Sequence, residues 1–223
     1  MAKRRPSGAV GVLMLCLGLV VGLGAGGRPA MARYMTGLAL LDWCRDDGST
    51  FCPGYLAAVA DYQSVLQRLD TPTPRFCLPS NVKLGVLRQV VLGELGGQPR
   101  DALGDVAARL LVPALAQRFP APAGDRDCPS TAAAFVTGAE LIDWCEDEAS
   151  RFCNGYIAAL ADYQDELQRA DTITPRFCLG ADTRMSDLYR LTLERLRANP
   201  PSELRKLAAS LVVPGLIRAF PCR

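Results

Sequence analysis

The sequence contains no histidine. Without imidazole there is no Ser-His or Cys-His nucleophile and no histidine acid or base. No segment sustains the period-2 alternation of a half-buried strand, which argues against a sheet. Aromatic residues make up only 7% of the chain. Beyond its first few residues the chain has no basic run of the kind that binds nucleic acid. Carboxylates remain, in the runs Asp46-Asp47 and Glu146-Asp147-Glu148. A charge run near a helix end reads first as a solvated face, so these are weak candidates for paired acid–base catalysis. No catalytic residue and no cofactor is expected.

What is present begins with an export signature. Lys3, Arg4 and Arg5 precede the uncharged apolar run Ala9 to Leu23, and Ala30-Met31-Ala32 fits a small-x-small cleavage site. That is the layout of a secretory signal peptide; an uncleaved membrane anchor and a lipid anchor at Cys16 are the lesser readings. Removal of residues 1–32 takes away four bases and no acid, which changes the formal charge from +2 to −2. It also removes Cys16, and eight of nine cysteines stay. An even cysteine count in an exported chain reads as a disulfide framework in an oxidising compartment.

The remaining chain carries one stretch twice, 101 residues apart and without insertion. The first copy has Trp43-Cys44, Phe51-Cys52-Pro53-Gly54-Tyr55-Leu56, Asp61-Tyr62-Gln63 and Thr73-Pro74-Arg75-Phe76-Cys77-Leu78. The second has Trp144-Cys145, Phe152-Cys153-Asn154-Gly155-Tyr156-Ile157, Asp162-Tyr163-Gln164 and Thr174-Pro175-Arg176-Phe177-Cys178-Leu179. Residues 36–78 and 137–179 agree at 29 of 43 positions, and residues 79–120 and 180–221 at only 13 of 42, all of them Leu, Ala, Val, Phe or Pro. The back halves therefore share a core pattern alone. The front halves also share polar positions, among them Asp42, Asp61, Gln63, Gln67, Arg68 and Arg75. These are candidates for function, although a recent duplication accounts for them equally.

Each copy reads as about four helices. Thr137 with Glu140 forms a capping box, with Val136 and Leu141 as its hydrophobic staple; Thr36 with Met35 and Leu40 repeats it without the glutamate. The first helices are expected over about 37–47 and 138–148, the second over about 53–69 and 154–170. Tyr156, Leu160, Tyr163 and Leu167 follow the spacing of one buried stripe. Tyr55, Tyr156, Trp43 and Trp144 read as core rather than as a ligand cage. Third helices fit Leu84 to Leu95 and Met185 to Leu196. Fourth helices run from Pro99 or Pro200 to Phe119 or Phe220, with a kink or split expected at Pro113 and Pro214. Residues 121–135 have the composition of a linker. The expectation is an all-α protein: a signal peptide (1–32), a helical domain (33–120), a linker (121–135) and a second helical domain (136–223), each domain small and disulfide-stapled.

Eight cysteines allow 105 connectivities. The Pro-rich return Asp70-Thr71-Pro72-Thr73-Pro74 could run antiparallel to the second helix, since eight extended residues at about 3.1 Å each match a 17-residue helix of roughly 25 Å. That predicts Cys52–Cys77 and Cys153–Cys178, leaving Cys44–Cys128 and Cys145–Cys222. Zinc is disfavoured, because C-x7-C is not the spacing of a structural zinc site.

The frame C-x7-C-x-G-Y-[IL]-x4-A-D, then R-F-C-L, a Leu-rich helix and the terminal Phe220-Pro221-Cys222, resembles the Tai/Rap family of type VI secretion immunity proteins. The resemblance covers both copies. It implies a small exported helical protein with cysteine pairs that sits in the periplasm and, without catalysis, neutralises a peptidoglycan amidase effector from a neighbouring cell. The implied partner is thus a protein, not nucleic acid or membrane. Members that act as homodimers imply that a covalent tandem is either a single-chain pseudo-dimer or itself dimerises. An envelope structural or chaperone-like helical module is the alternative. The partner-binding residues are unknown, with the stretch from the third to the fourth helix the place where the copies diverge most.

Overall fold

The computed structural model describes residues 34–68, 76–121, 128, 135–169 and 176–222. The expected signal peptide, most of the linker, and the Pro-rich returns with Arg75 lie outside the described residues. The described residues form two tandem helical domains with eight α-helices: α1 (Gly37–Arg45), α2 (Phe51–Arg68), α3 (Leu84–Glu94), α4 (Ala107–Arg118), α5 (Gly138–Glu146), α6 (Phe152–Arg169), α7 (Met185–Arg197) and α8 (Ala208–Ala219). Strand pairing among the described residues is confined to two isolated bridges, Thr36 with Val106 and Thr137 with Leu207.

Local chemistry sets the helix starts. Thr36 Oγ1 accepts from the Ala39 amide at 3.2 Å. Thr137 and Glu140 make the full capping box, which satisfies two amides that the first turn leaves without partners. Pro53 and Asn154 sit in the first turn of α2 and α6, where proline's missing N–H costs nothing. The fourth helices split, but not at their prolines. Ala102–Gly104 forms a 3-10 turn, the chain extends at Asp105-Val106, and α4 then runs through Pro113. The break falls at Val106 because the backbone there is engaged elsewhere: Gly37 N donates to Asp105 O and Ala107 N to Met35 O, each at 2.9 Å. Pro113 is exposed, so the Arg109 carbonyl it leaves unpaired faces the solvent side of α4.

The central helices are buried on every side. In α2, all residues from Phe51 to Leu66 except Pro53 are buried, and α6 matches this from Phe152 to Leu167 except Asn154. One stripe was expected. The additional burial comes from the other copy, because α2 and α6 pack along each other as the most extensive helix contact in the molecule. Each is also covered by the last helix of the opposite copy, α4 on α6 and α8 on α2. The two domains therefore share a single hydrophobic core.

The cysteine pairing departs from the expectation at every bond. The disulfides are Cys44–Cys52, Cys77–Cys128, Cys145–Cys153 and Cys178–Cys222, with Cα–Cα distances of 5.0, 5.3, 4.9 and 4.9 Å. The reason is where the chain re-emerges after α2 and α6. Gln67 Nε2 donates to Phe76 O at 3.5 Å and Gln168 Nε2 to Phe177 O at 2.6 Å, so both Phe-Cys segments start beside the last turn of their helix. Cys52 lies at the other end of α2, roughly 24 Å away at 1.5 Å per residue. Extended reach is an upper bound, and the chain does not use it. Instead Cys77 N donates to Phe119 O at 3.0 Å and Cys178 N to Phe220 O at 2.9 Å, which sets Cys178 against Cys222. The corresponding residue in copy one is Ala121, and Cys128 supplies the sulfur. Cys44 and Cys52 meet across the short α1–α2 turn.

Candidate functional site

Two regions gather the residues singled out by the sequence: the seam between α2 and α6, and the pole where the α1–α2 and α5–α6 turns meet. The seam is built from contacts that occur twice with the copies exchanged. Tyr55 donates its hydroxyl to Asp162 at 3.1 Å, and Tyr156 donates to Asp61 at 2.9 Å. The other oxygen of each carboxylate accepts a backbone amide, from Tyr34 onto Asp162 at 3.1 Å and from Phe135 onto Asp61 at 2.9 Å. Tyr62 donates to Gln164, and Tyr163 to Gln63. The rings of Tyr62 and Tyr163 cross edge to face with centroids 5.8 Å apart, a favourable quadrupole arrangement. Phe76 stacks on Tyr163 and Phe177 on Tyr62.

Glycine makes this approach geometrically feasible. A Cβ on Gly54 would stand 2.2 Å from the carbonyl oxygen of Phe152, and one on Gly155 2.2 Å from that of Phe51. The shared Gly-Tyr pair thus lets two backbones touch and sends a hydroxyl across. Both seam carboxylates are fully buried. Burial outweighs the donated hydrogen bonds and raises each from the ordinary carboxylate range to about 7, with Glu140 adding to this at Asp61 and Asp165 at Asp162. The seam side chains are buried between the two helices. The polar identities Asp61, Gln63 and Gln67, together with Tyr55 and Tyr156, are accounted for by packing.

At the pole, Thr50 Oγ1 accepts from the Arg151 amide at 2.8 Å and from Ser150 Oγ at 3.3 Å. The Arg151 guanidinium lies 5.6 Å from the Trp43 ring centroid. Trp43 stacks on Phe51 and Trp144 on Phe152, at 5.4 and 4.9 Å. Both tryptophans were expected in the core, yet Trp144 is 37% exposed. The carboxylates here hold the turns. Asp46 accepts from Gly48 N at 2.9 Å and Asp147 from Ala149 N at 3.0 Å. Asp47 pairs with Arg88 at 2.5 Å and Glu146 with Arg197 at 2.7 Å. The α3 and α7 side chains also secure the disulfide ends, since Arg88 Nε donates to Cys44 O and Tyr189 to Cys145 O. A shallow cleft beside this turn in copy one is lined by Asp46, Asp47, Pro53, Leu84 and Arg88.

No nucleophile–base pair assembles in either region. Among the described residues no three His, Cys, Asp or Glu side chains are grouped to hold a metal ion, and all eight described cysteines are oxidised. Sequence reasoning missed the seam, although α2 carried its signal: Tyr55-Leu56-Ala57-Ala58-Val59-Ala60-Asp61-Tyr62-Gln63 has no polar face, and a helix apolar all round needs cover all round.

The fold and its chemistry describe a duplicated, disulfide-tied helical module. The profile of the Rap1a immunity proteins matches residues 36–121 and again residues 137–222. The chain belongs to that family, in two copies. Searches of curated proteins and of solved structures returned no match.

Proposed function

We propose that this chain is a type VI effector immunity protein that is exported to the periplasm, with residues 1–32 removed as a signal peptide. There it neutralises a peptidoglycan amidase effector by binding over the active-site groove, without catalysing a reaction itself. The observation that carries this reading is the family match in both copies. The four disulfides support export, since such bonds persist in oxidising compartments. No described helix is long and apolar enough to cross a membrane, as suits a protein that meets its target in solution. The paired contacts across α2 and α6 further suggest a single-chain counterpart of a dimer, each copy standing for one protomer.

The test is protection. A susceptible strain carrying the full chain should survive periplasmic delivery of its cognate amidase, and the same chain without residues 1–32 should not protect. The purified mature protein should form a stable complex with the enzyme and suppress peptidoglycan cleavage. Absence of both protection and complex across a panel of amidase effectors would overturn the proposal.

A further inference from the structure

The two tryptophans at the pole stack on equivalent phenylalanines, yet only one ring is covered. Trp43 is half-buried, and the Arg151 guanidinium reaches over it from the other copy. The residue in register with Arg151 is Thr50. Its side chain is too short to lie over Trp144, and its Oγ1 is engaged by the Arg151 amide and Ser150 Oγ. Trp144 is left 37% exposed, and with Val86 it makes up the exposed large hydrophobic side chains among the described residues. The charge around the two rings differs as well. Residues 138–149 hold five acids and no base, namely Glu140, Asp143, Glu146, Asp147 and Glu148, all exposed; residues 37–48 hold three acids and Arg45. Glu140 stands four residues before Trp144 on the same face of α5, where copy one has Ala39. Glu146 is tied to Arg197, but Asp143 and Glu148 make no ion pair among the described residues. Copy two thus presents an open indole beside an acidic rim, and copy one a capped indole in a less acidic setting.

We propose that Trp144 is the seat for an arginine side chain of a protein partner, carried on a basic segment that the α5 acids receive. The molecule itself shows the chemistry of the occupant, because the cover on the equivalent ring is a guanidinium from across the pole. A cation over an indole face is attracted by the ring quadrupole, and the planar guanidinium also stacks on it. Tryptophan and arginine are the side chains on which interface energy concentrates. An anionic lipid surface or a nucleic acid would meet like charge at the rim, so neither fits this seat. The inference deepens the immunity reading by stating what the target brings to this surface. It rests on that reading for the choice of partner, but not for its first test.

The first test titrates the 15N-labelled mature protein with the peptide acetyl-Gly-Arg-Gly-Arg-Gly-amide, and with the same peptide carrying neutral citrulline for arginine. Trp43→Phe and Trp144→Phe assign the two indole N–H resonances. The arginine peptide should move the Trp144 resonance saturably, and less at high salt, while Trp43 stays nearly still and the citrulline peptide acts several-fold more weakly. Thr50→Arg, which gives Trp144 the cover that Arg151 gives Trp43, should abolish the response in a chain that melts within a few degrees of wild type. Equal shifts from both peptides, no shift of Trp144, or a response that survives Thr50→Arg would overturn the proposal. A larger shift with an N-acetylglucosamine oligomer would overturn it too, since the ring would then be a sugar platform. The second test uses any amidase that the protection assay identifies: Trp144→Ala and Thr50→Arg should each weaken the complex by about tenfold or more, and Trp43→Phe should not. An amidase bound equally by all of these refutes the seat and leaves the immunity reading standing. If no amidase binds the wild-type chain, the immunity reading fails and the peptide titration alone decides the seat.

Discussion

The two seam aspartates predict an unusual dependence of stability on pH. Asp61 and Asp162 titrate near 7 in the folded protein against 3.8 for a free side chain. The folded chain therefore holds two protons across pH 4 to 7 that the unfolded chain has released. Where the native state binds more protons, stability falls as pH rises. Their contribution is fully present below about pH 4 and is lost by about pH 7, beyond which these groups add no further slope. The shift spans about 3 pH units, and at about 1.4 kcal/mol per unit each group is worth about 4 kcal/mol. That is a large share of the 5–15 kcal/mol typical of a domain. The contribution of the two aspartates is isolated by difference. Asp61→Asn with Asp162→Asn keeps the shape, still accepts the Phe135 and Tyr34 amides, and cannot ionise. Urea denaturation from pH 4.5 to 8.5 should show the variant close to wild type at the acid end and more stable by at least about 2 kcal/mol at the alkaline end. A variant whose profile parallels the wild type throughout would refute the assignment of buried, proton-holding seam carboxylates.

Gly54→Ala and Gly155→Ala should each cost about 3 kcal/mol or more, because the new Cβ meets a helix carbonyl at 2.2 Å that no rotamer change can relieve. Gly85→Ala and Gly93→Ala on α3 meet nothing within 4 Å and should instead gain about 0.5–1 kcal/mol in denaturant melts. Peptide mapping without reduction should recover Cys44 joined to Cys52 and Cys178 joined to Cys222. By loop-closure entropy, loss of the separation-8 bond costs about 2.5 kcal/mol and loss of the separation-44 bond about 4 kcal/mol. The double serine variants should melt in that order.

The helices, their caps and the duplication were legible in the sequence because each rests on local chemistry: Thr137 with Glu140, the period of Leu84 to Leu95, the fixed 101-residue offset. Pairing was not legible, because it depends on where a chain segment emerges in space. Cys77 could be placed against Cys52 by length alone. Only the contacts of Phe76 with Gln67 and of Cys77 with Phe119 show it at the far end of α2. Pro113 misled for a related reason. Its local rule predicts a break, but the tertiary bridge at Val106 takes that role and leaves the proline on a solvent-facing turn. The burial of α2 on all sides could have been read from the apolar run Tyr55 to Ala60, and a single-stripe reading concealed it; α6, with Asp162, Asp165 and Glu166 on one face, gave no such signal.

The division of identity between the halves of each copy now has a physical cause. Residues 36–78 and 137–179 match at 29 of 43 positions, and four of these, Tyr55, Asp61, Tyr62 and Gln63, lie in the seam, where each bonds a residue of the other copy. A substitution there changes a contact with the other copy as well as one at home, so both copies are held to the same residues. Outside the core positions, the back halves have diverged: Arg88 stands opposite Tyr189 in register, Glu94 opposite Arg195, and Gly104 opposite Arg205. Among the retained polar residues, Asp61 and Gln63 are closed off from any target, whereas Asp42 and Arg68 are exposed. The proposed target recognition is therefore expected to use exposed surface, the turns at the pole included, and not the seam. Substitutions such as Arg88→Ala, Arg197→Ala and Trp144→Ala should impair protection while leaving the melting temperature within a few degrees of wild type. Gln63→Ala should instead lower the melting temperature, and should impair protection only insofar as the fold is lost. If the seam variant stays folded yet abolishes complex formation, while every surface variant protects fully, the separation of seam from binding surface fails.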